Sequence, residues 1–484
     1  MKEYKMWIGG KWVEAESGKT FTTVNPATEE VIGTLPMSDE PDVDKAVAAA
    51  RDAFPIWSGK SVQERSAILN SIAISIKNRI NELVDIHVMD HGSPGYVAGL
   101  FARSVPEHFQ YAAEMSKSIM GEEGIRPAPP EGLFYISREP LGVCAGIIPW
   151  NIPYMITAKI AATLATGNTC IIKPPTLVSL PALKIAEILS ECEDLPKGVV
   201  NIITGPGNPA GEALAGHPGV DMVAFTGGYE TGKAIMTAAG RTVKPVFLEL
   251  GGKNPFIVLE DADLDEAVPR AVSSITFNSG MVCGSTGRFY VHKDLYDEFV
   301  ERFLLEIRKV TVGNPADPKT QMGPVVSAEH RERVENYITI GKEEGANLIY
   351  GENRTLETPL DKGYFVLPAV FTHVGQHSRL GREEIFGPVA CIMEPFTSEE
   401  EVIRLANDTP FGLTATVWTR NTARGIRIAN KIDAGNVRVN SGSVAFGSDL
   451  PWGGFKASGF GKEGSRYGLE EFTRLKLICV DTSI

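Results

Sequence analysis

Between residues 143 and 249 the chain alternates short apolar runs with segments of helical length. The runs "VCAGII", "CIIK", "VVNIITG", "MVAFTG" and "VFLEL" are too short for helices and predict buried strands. Between them, "PALKIAEILSECE" spaces Leu183, Ile185, Ala186, Ile188, Leu189 and Cys192 so that they share one broad apolar stripe at helical periodicity. Such βαβα alternation predicts an α/β protein whose largely parallel sheet is covered on both faces. Ligands of these sheets gather beyond the carboxyl ends of the strands, so chemistry is expected in the loops "PWNIP", "KPPT", "TGPGNPAG" and "FTGGYETG". A second α/β pattern follows, from residue 253 to 440. Ahead of the first strand, "GIRPAPPEG" (124–132) breaks the chain before the alternating "LFYISRE", which reads as a hairpin arm outside the main sheet. The tail "FTRLKLICVDTSI" is β-prone, and its pattern fits pairing within its own chain and addition to another subunit equally.

Composition narrows the picture. A length of 484 residues exceeds what one core organises, so two or more domains are expected. The excess of 60 acidic over 47 basic side chains, a formal charge of −13, argues against nucleic acid or an anionic membrane and favours a small-molecule partner. Cysteines stand at 144, 170, 192, 283, 391 and 479 without CxxC pairs or clustered histidines, so neither a disulfide framework nor a metal site is expected. No stretch reaches the roughly 18 apolar residues of a membrane span, and the opening "MKEYKMWIGGKW" lacks an apolar signal core; the chain reads as cytoplasmic.

Two of the strand-end loops are rich in glycine and suit phosphate, because backbone N–H groups approach an anion there and a helix N-terminus follows. Gly205, Gly207 and Gly211 have the spacing GxGxxxG rather than GxGxxG, which fits a tight turn as well as a phosphate site. The stretch "GGYETGK" from Gly227 approaches a triphosphate loop, but Ala234 stands where that loop needs a magnesium-binding hydroxyl. The thiol in "NSGMVCGSTGR" raises a different chemistry. Cys144, Cys170, Cys192, Cys391 and Cys479 sit in apolar or helical segments and suit the role of small hydrophobes. Cys283, flanked by Gly280, Gly284, Ser285, Thr286 and Gly287, has little apolar cover and is expected to be accessible. A nucleophile needs a base and a donor for developing negative charge. Glu249, ending a buried strand, and Asn151, in the loop after the first strand, are the candidates, and spacing alone leaves open whether the three meet.

These segments resemble the aldehyde dehydrogenase family. "NPATEEVIG" (from Asn25), "PWNIP", "FTGGYETG", "LELGGKNP", "NSGMVCGSTGR", "EEIFGPV" (from Glu383) and "PWGGFKASGFGKE" (from Pro451) occur in family order across nearly the whole chain. The resemblance implies a Rossmann-type cofactor domain (1–117 and 141–251), an α/β catalytic domain (252–456) and a small β oligomerisation arm (118–140 and 471–484), in a homodimer or homotetramer. It implies that Cys283 is the nucleophile, Glu249 the general base and Asn151 the oxyanion donor. For NAD or NADP it implies Lys173 and Thr176 at the adenosine ribose, and Gly207, Thr226, Gly227, Gly228 and Gly232 at the phosphate turn. Glu384 would lie at the nicotinamide ribose with Phe386 and Trp150 beside it. Lys159 and Glu463 resemble a pair that relays protons from the base. The implied reaction oxidises an aldehyde to its acid through a cysteine thiohemiacetal and a thioester. Glutamate-activated water hydrolyses the thioester, since members that pass the acyl group to coenzyme A lack a glutamate at position 249.

Departures from the family pattern carry expectations of their own. Thr176 replaces a glutamate whose carboxylate repels a 2′-phosphate, so NADP is expected to be at least tolerated. Gly228 replaces a phosphate-contacting serine, and Met281 stands where a glutamine is common. The stretch 151–168 is one residue short, which puts the orientation of Lys159 in question. Tyr154, Val282, Gly284, Phe446 and Trp452 are expected around a roomy aromatic pocket for an aromatic or medium-chain aldehyde. The alternative is a cationic amino aldehyde, such as betaine aldehyde, held by Trp452, Tyr154 and Asp449. No arginine is obviously placed to clamp a second carboxylate. Two other classes compete: a catalytically silent scaffold, for which nothing demands a thiol, a base and an oxyanion donor together, and a P-loop hydrolase, disfavoured by Ala234.

Overall fold

The apolar runs form strands Val143–Ile147, Thr169–Lys173, Val200–Ile202, Met222–Thr226 and Val246–Glu249, and the striped segment forms helix Leu180–Ser190. The computed structural model describes residues 2–128, 132–351, 360–441 and 447–481. The strands are mutually parallel and lie within an eight-stranded sheet. Gly459–Phe460 pairs antiparallel to one edge, and Met6–Ile8 and Lys11–Val13 continue the other. Side chains along the central strands alternate between two cores. Cys144, Cys170, Ile172 and Ala224 join one cluster, while Val143, Ala145, Ile171, Val223 and Phe225 join the other. Burial on both faces is why these runs are continuously apolar rather than alternating.

Strand order reverses at Val143–Ile147, which has Thr169–Lys173 on one side and Met222–Thr226 on the other. A cleft opens beyond the carboxyl ends at such a reversal. Helices Glu40–Ser58, Val62–Asn78, Ile80–His91 and Gly95–Ile119 precede the parallel strands of the sheet and supply much of one core. The second of these starts in a capping box: Ser61 Oγ accepts from Glu64 N–H at 3.2 Å, and the Glu64 carboxylate accepts from Ser61 N–H at 2.7 Å.

The second α/β pattern forms a seven-stranded sheet in the order Asn347–Tyr350, Ala369–Val374, Val389–Met393, Thr286–Val291, Asn254–Val258, Thr414–Trp418 and Asn436–Val439. All its pairings are parallel except that of the edge strand Asn347–Tyr350. The arm is a separate sheet in which Thr473–Asp481 pairs antiparallel with Gly132–Pro140, and Gly132–Pro140 with Gly121–Ala128. The tail therefore finds its partner within its own chain. Cys144, Cys170 and Cys391 are buried as expected of small hydrophobes, whereas Cys479, on the outer strand of the arm, is exposed. Among the described residues no helix is long and apolar enough to cross a membrane.

Candidate active site

The first sheet delivers its functional side chains from strand ends. Lys173, Thr226 and Glu249 are the last residues of their strands, and Trp150 and Asn151 lie in the loop after Val143–Ile147. The second sheet delivers its own from loops before strands: Cys283 precedes Thr286–Val291, and Glu384 and Phe386 precede Val389–Met393. Loops of both kinds line one cavity, where Asn151, Glu249 and Cys283 come together with Trp452, Tyr111 and Thr226. Cys283 also lines a second, smaller cavity with Gly252, Glu384 and Phe386. It is the residue common to the linings of the two cavities.

The loop that carries Cys283 is held in an uncommon shape. Asn278, Ser279 and Gly280 lie in succession at φ values of 50°, 55° and 73°, a conformation that non-glycine residues keep only where their surroundings enforce it. Ser93 Oγ donates to Asn278 Oδ1 at 2.7 Å, Asn278 Nδ2 to the Asn151 carbonyl at 3.0 Å, and Ser279 Oγ to the Gly323 carbonyl at 2.9 Å. Beyond the thiol, Asn254 Nδ2 donates to the carbonyls of Cys283 and Ser285, each at 2.7 Å. Asn151 itself donates to the Met281 carbonyl at 3.1 Å. An amide nitrogen carries two hydrogens, so one stays free for an oxyanion. Sequence reading missed Ser93, Asn254 and Asn278, because nothing in a polar residue of a loop shows which distant group it will bond.

Burial sets the electrostatics. Glu249 is buried, and neither of its carboxyl oxygens makes a hydrogen bond of normal geometry. Burial first, and the neighbouring Glu463 second, push its pKa well above the usual carboxylate range, against the pull of Lys159, Lys462 and the Trp452 indole. Burial, followed by Glu249 and Glu384, pushes the Cys283 thiol up too, while the backbone N–H groups of Gly284 and Cys283 favour the thiolate. Lys159 and Glu463 form a buried ion pair at 2.7 Å, and Lys159 Nζ also donates to Thr226 Oγ1 at 2.8 Å. The shorter loop has not turned Lys159 away from the site. Thr226 accepts from Lys159 and keeps its own O–H to donate.

Glycines explain two of the sequence segments. In "LELGG", a Cβ on Gly251 would collide with the Glu384 carboxyl, and Gly252 N–H donates to Glu384 Oε1 at 2.9 Å. Burial raises Glu384 to about 7. In "PWGG", a Cβ on Gly453 would stand 3.0 Å from Glu249 Oε1. Gly232 has a packing reason: its Cβ would lie 2.7 Å from Leu250. At Gly207 and Gly228, by contrast, an added Cβ would meet nothing within 4 Å. Gly228 caps helix Tyr229–Gly240, and Gly227 N–H is bonded to the Glu249 carbonyl at 3.0 Å. Lys173 Nζ donates to the carbonyls of Pro174 and Gly205, each at 2.9 Å, and burial lowers it to about 8. Thr176 Oγ1 reaches the Gly205 carbonyl as well, at 3.1 Å. The rings of Trp150 and Phe386 meet edge to face with centroids 5.3 Å apart.

Some expected pocket residues lie elsewhere. Tyr154 is absent from the cavity lining: it is buried in the core, donating its hydroxyl to the Leu83 carbonyl at 2.5 Å. It caps the start of helix Met155–Ala165, and the next turn of that helix, at Met155 and Ala158, faces the cavity instead. Val282 is buried against the core and lines only the smaller cavity, and Gly284 lines neither. Asp449 is exposed and outside the lining. Phe446 lies outside the described residues. Tyr111, Met155, His108 and Leu450 supply the walls that these residues were expected to form.

A profile of the aldehyde dehydrogenase family matches residues 12–478. The chain belongs to the aldehyde dehydrogenase family. It is 40% identical over 480 residues to the betaine aldehyde dehydrogenase of Bacillus subtilis (strain 168), covering 99% of this chain and 97% of that one. A crystal structure of betaine aldehyde dehydrogenase from Staphylococcus aureus in complex with NAD+ superposes with a TM-score of 0.96 at 36% identity, covering 99% of this chain and 95% of that one. A variant of the aldehyde dehydrogenase from Bacillus cereus does so with a TM-score of 0.95 at 41% identity, covering 99% and 97%. The fold is that of an aldehyde dehydrogenase, and the two sheets with their arm are its parts.

Proposed function

We propose that this aldehyde dehydrogenase oxidises an aldehyde to the carboxylic acid, with NAD as hydride acceptor and NADP tolerated. The observation that carries the reading is that Cys283 lines both cavities, with Glu249 and Asn151 in one and Glu384 in the other. The Cys283 thiolate adds to the carbonyl carbon. The oxygen that becomes negative is received by the free Asn151 N–H and the Cys283 backbone N–H, worth about 3 to 4 kcal/mol per donor in comparable sites. Bound NAD supplies the acceptor for the hydride that leaves the tetrahedral adduct. Glu249 then takes a proton from water, which hydrolyses the thioester. The Glu249 carboxylate disfavours the Cys283 thiolate, so the two are not charged together without cost. One anion at a time suits a sequence in which the thiolate is consumed before the base acts.

The residues present fit the dinucleotide. The open backbone at Gly207 and Gly228 leaves room for its phosphates at a helix N-terminus, and Lys173 and Thr176 would meet the adenosine ribose. Glu384, supported by Gly252 N–H, would accept from the nicotinamide ribose. A solved relative carries NAD+, which supports NAD; a threonine at 176 leaves no carboxylate there to repel a 2′-phosphate.

Around the aldehyde, Trp452, Tyr111, Met155 and Leu450 offer an apolar, partly aromatic wall, which suits an aromatic or medium-chain body. A second reading, betaine aldehyde or a related amino aldehyde, is favoured by the names of the relatives and by the ability of aromatic faces to hold a cation. The test is the near-ultraviolet absorbance of reduced nicotinamide with a panel of aldehydes and each cofactor. Reduction of NAD, and of NADP with an efficiency within about a hundredfold, is expected. No reduction of either cofactor while Cys283 remains alkylatable would leave a silent scaffold as the better reading.

A further inference from the structure

Ser93 lies in the turn between helices Ile80–His91 and Gly95–Ile119. Its Oγ stands within bonding distance of three side chains: Asn278 Oδ1 at 2.7 Å, His91 Nδ1 at 2.7 Å and His87 Nε2 at 3.1 Å. All four residues are buried. A hydroxyl has one hydrogen to give and two lone pairs to receive with. Asn278 spends its Nδ2 on the Asn151 carbonyl at 3.0 Å, which fixes the amide so that an oxygen, able only to accept, faces Ser93. The Ser93 hydrogen therefore goes to Asn278, and both imidazoles must donate to Ser93, His91 as the Nδ1–H tautomer and His87 as the Nε2–H tautomer.

The ring nitrogens left over agree with this assignment. His91 Nε2 and His87 Nδ1 are buried without a hydrogen-bond partner. In these tautomers both are bare lone pairs, whereas a hydrogen on either would be an orphaned buried N–H, the rarer outcome in folded proteins. Burial, with His91 next, holds His87 well below the usual imidazole range, and burial, with His330 next, takes His91 down to about 3, so both rings are neutral.

The chain of donors reaches both sides of the site. Asn278 heads the left-handed run at φ 50°, its carbonyl accepts from Met281 N–H at 2.9 Å, and the Met281 carbonyl accepts from Asn151 Nδ2 at 3.1 Å. The Asn278 amide thus ties the Cys283 loop to the loop of Asn151. Resting on the proposed aldehyde oxidation at Cys283, we propose that His87, His91 and Ser93 are positioning residues: the two imidazoles aim the Ser93 hydroxyl at Asn278, and through Asn278 they register the Asn151 amide against Cys283. None of the three lines either cavity, so they act through Asn278 and not on the substrate. Their loss should slow the chemical step and leave aldehyde binding alone, since a displacement of about 1 Å between reacting groups costs about a hundredfold.

An asparagine amide reproduces the Nδ1 side of an imidazole and a glutamine amide the Nε2 side, so the two tautomers predict opposite outcomes at the two histidines. The test is the single-turnover formation of reduced nicotinamide, with saturating NAD and rising excesses of enzyme over benzaldehyde, hexanal or betaine aldehyde. The limiting rate constant reads the chemical step independently of how much protein is folded, and the half-saturating concentration reads aldehyde binding. Ser93→Ala is expected to lower the limiting rate by about tenfold or more, with half-saturation within about twofold of the wild-type enzyme. His91→Asn and His87→Gln should keep most of the rate, while His91→Gln and His87→Asn should fall with Ser93→Ala. The histidine pairs decide the matter even where Ser93→Ala does not fold. A wild-type rate in Ser93→Ala, a loss confined to half-saturation, or equal rates in the two variants of either histidine overturns the proposal while leaving aldehyde oxidation standing. No reduced nicotinamide from the wild-type enzyme with any of the three aldehydes overturns the oxidation reading, and the proposal falls with it.

Discussion

The two α/β sheets meet at the site by opposite ends. The first offers the carboxyl ends of its parallel strands, with Lys173, Thr226 and Glu249 as terminal residues, while the second offers loops that precede its strands, with Cys283 before Thr286 and Glu384 before Val389. The difference shows in how each position is secured. A strand end is fixed by the ladder itself: Thr226 and Glu249 are paired in register across neighbouring strands. A loop before a strand has no ladder, and the Cys283 loop is fixed by side chains instead, through Ser93, Asn278 and Asn254. The Glu249 side of the site is therefore a property of the sheet, and the Cys283 side a property of a polar network.

Cys283→Ser tests the comparison most severely. Replacing sulfur by a far weaker nucleophile should lower kcat/KM by at least about a thousandfold while NAD still binds, since the residues proposed to contact the cofactor lie largely on the first sheet. Loss of NAD binding in this variant, read by calorimetry, would mean that the two sides are not separable.

Lys159→Met probes the link between the sides. Removing one member of a buried pair strands Glu463 and should cost about 3 to 5 kcal/mol of stability. Lys159 favours the Glu249 carboxylate, so its loss should raise the pKa of the base further. Glu249 works deprotonated, so the acid limb of the kcat–pH profile should move to higher pH. A limb that stays put, or moves down, would take Lys159 out of the electrostatics of the base.

The smallest effect is expected from Tyr154→Phe. Losing the hydrogen bond to the Leu83 carbonyl should cost about 1 to 3 kcal/mol in denaturant unfolding, with KM for aldehyde unchanged because the ring faces the core. A KM several times higher would return Tyr154 to the pocket.

The same contrast explains how much was legible in the sequence. Strands buried on both faces leave apolar runs that mark their own ends, so Glu249 and Asn151 could be found from pattern and topology before any resemblance was considered. The loop of Cys283 advertises itself only through its glycines, and what shapes it, Asn278 at a positive φ and Asn254 beneath the thiol, depends on partners far away in the chain. Pocket walls were read least well. Tyr154 sits next to the cavity in sequence, but the side on which a helix-capping residue falls is a matter of a fraction of a turn, and Met155 took the place expected for it.

Capture by Cys283 from one sheet and release by Glu249 from the other are the two proposed halves of turnover, and Glu249→Gln separates them. With excess aldehyde and NAD, rapid mixing should show one equivalent of reduced nicotinamide per site followed by near arrest, as the thioester accumulates without a base to activate water. Steady turnover at the wild-type rate, with no burst, would contradict it.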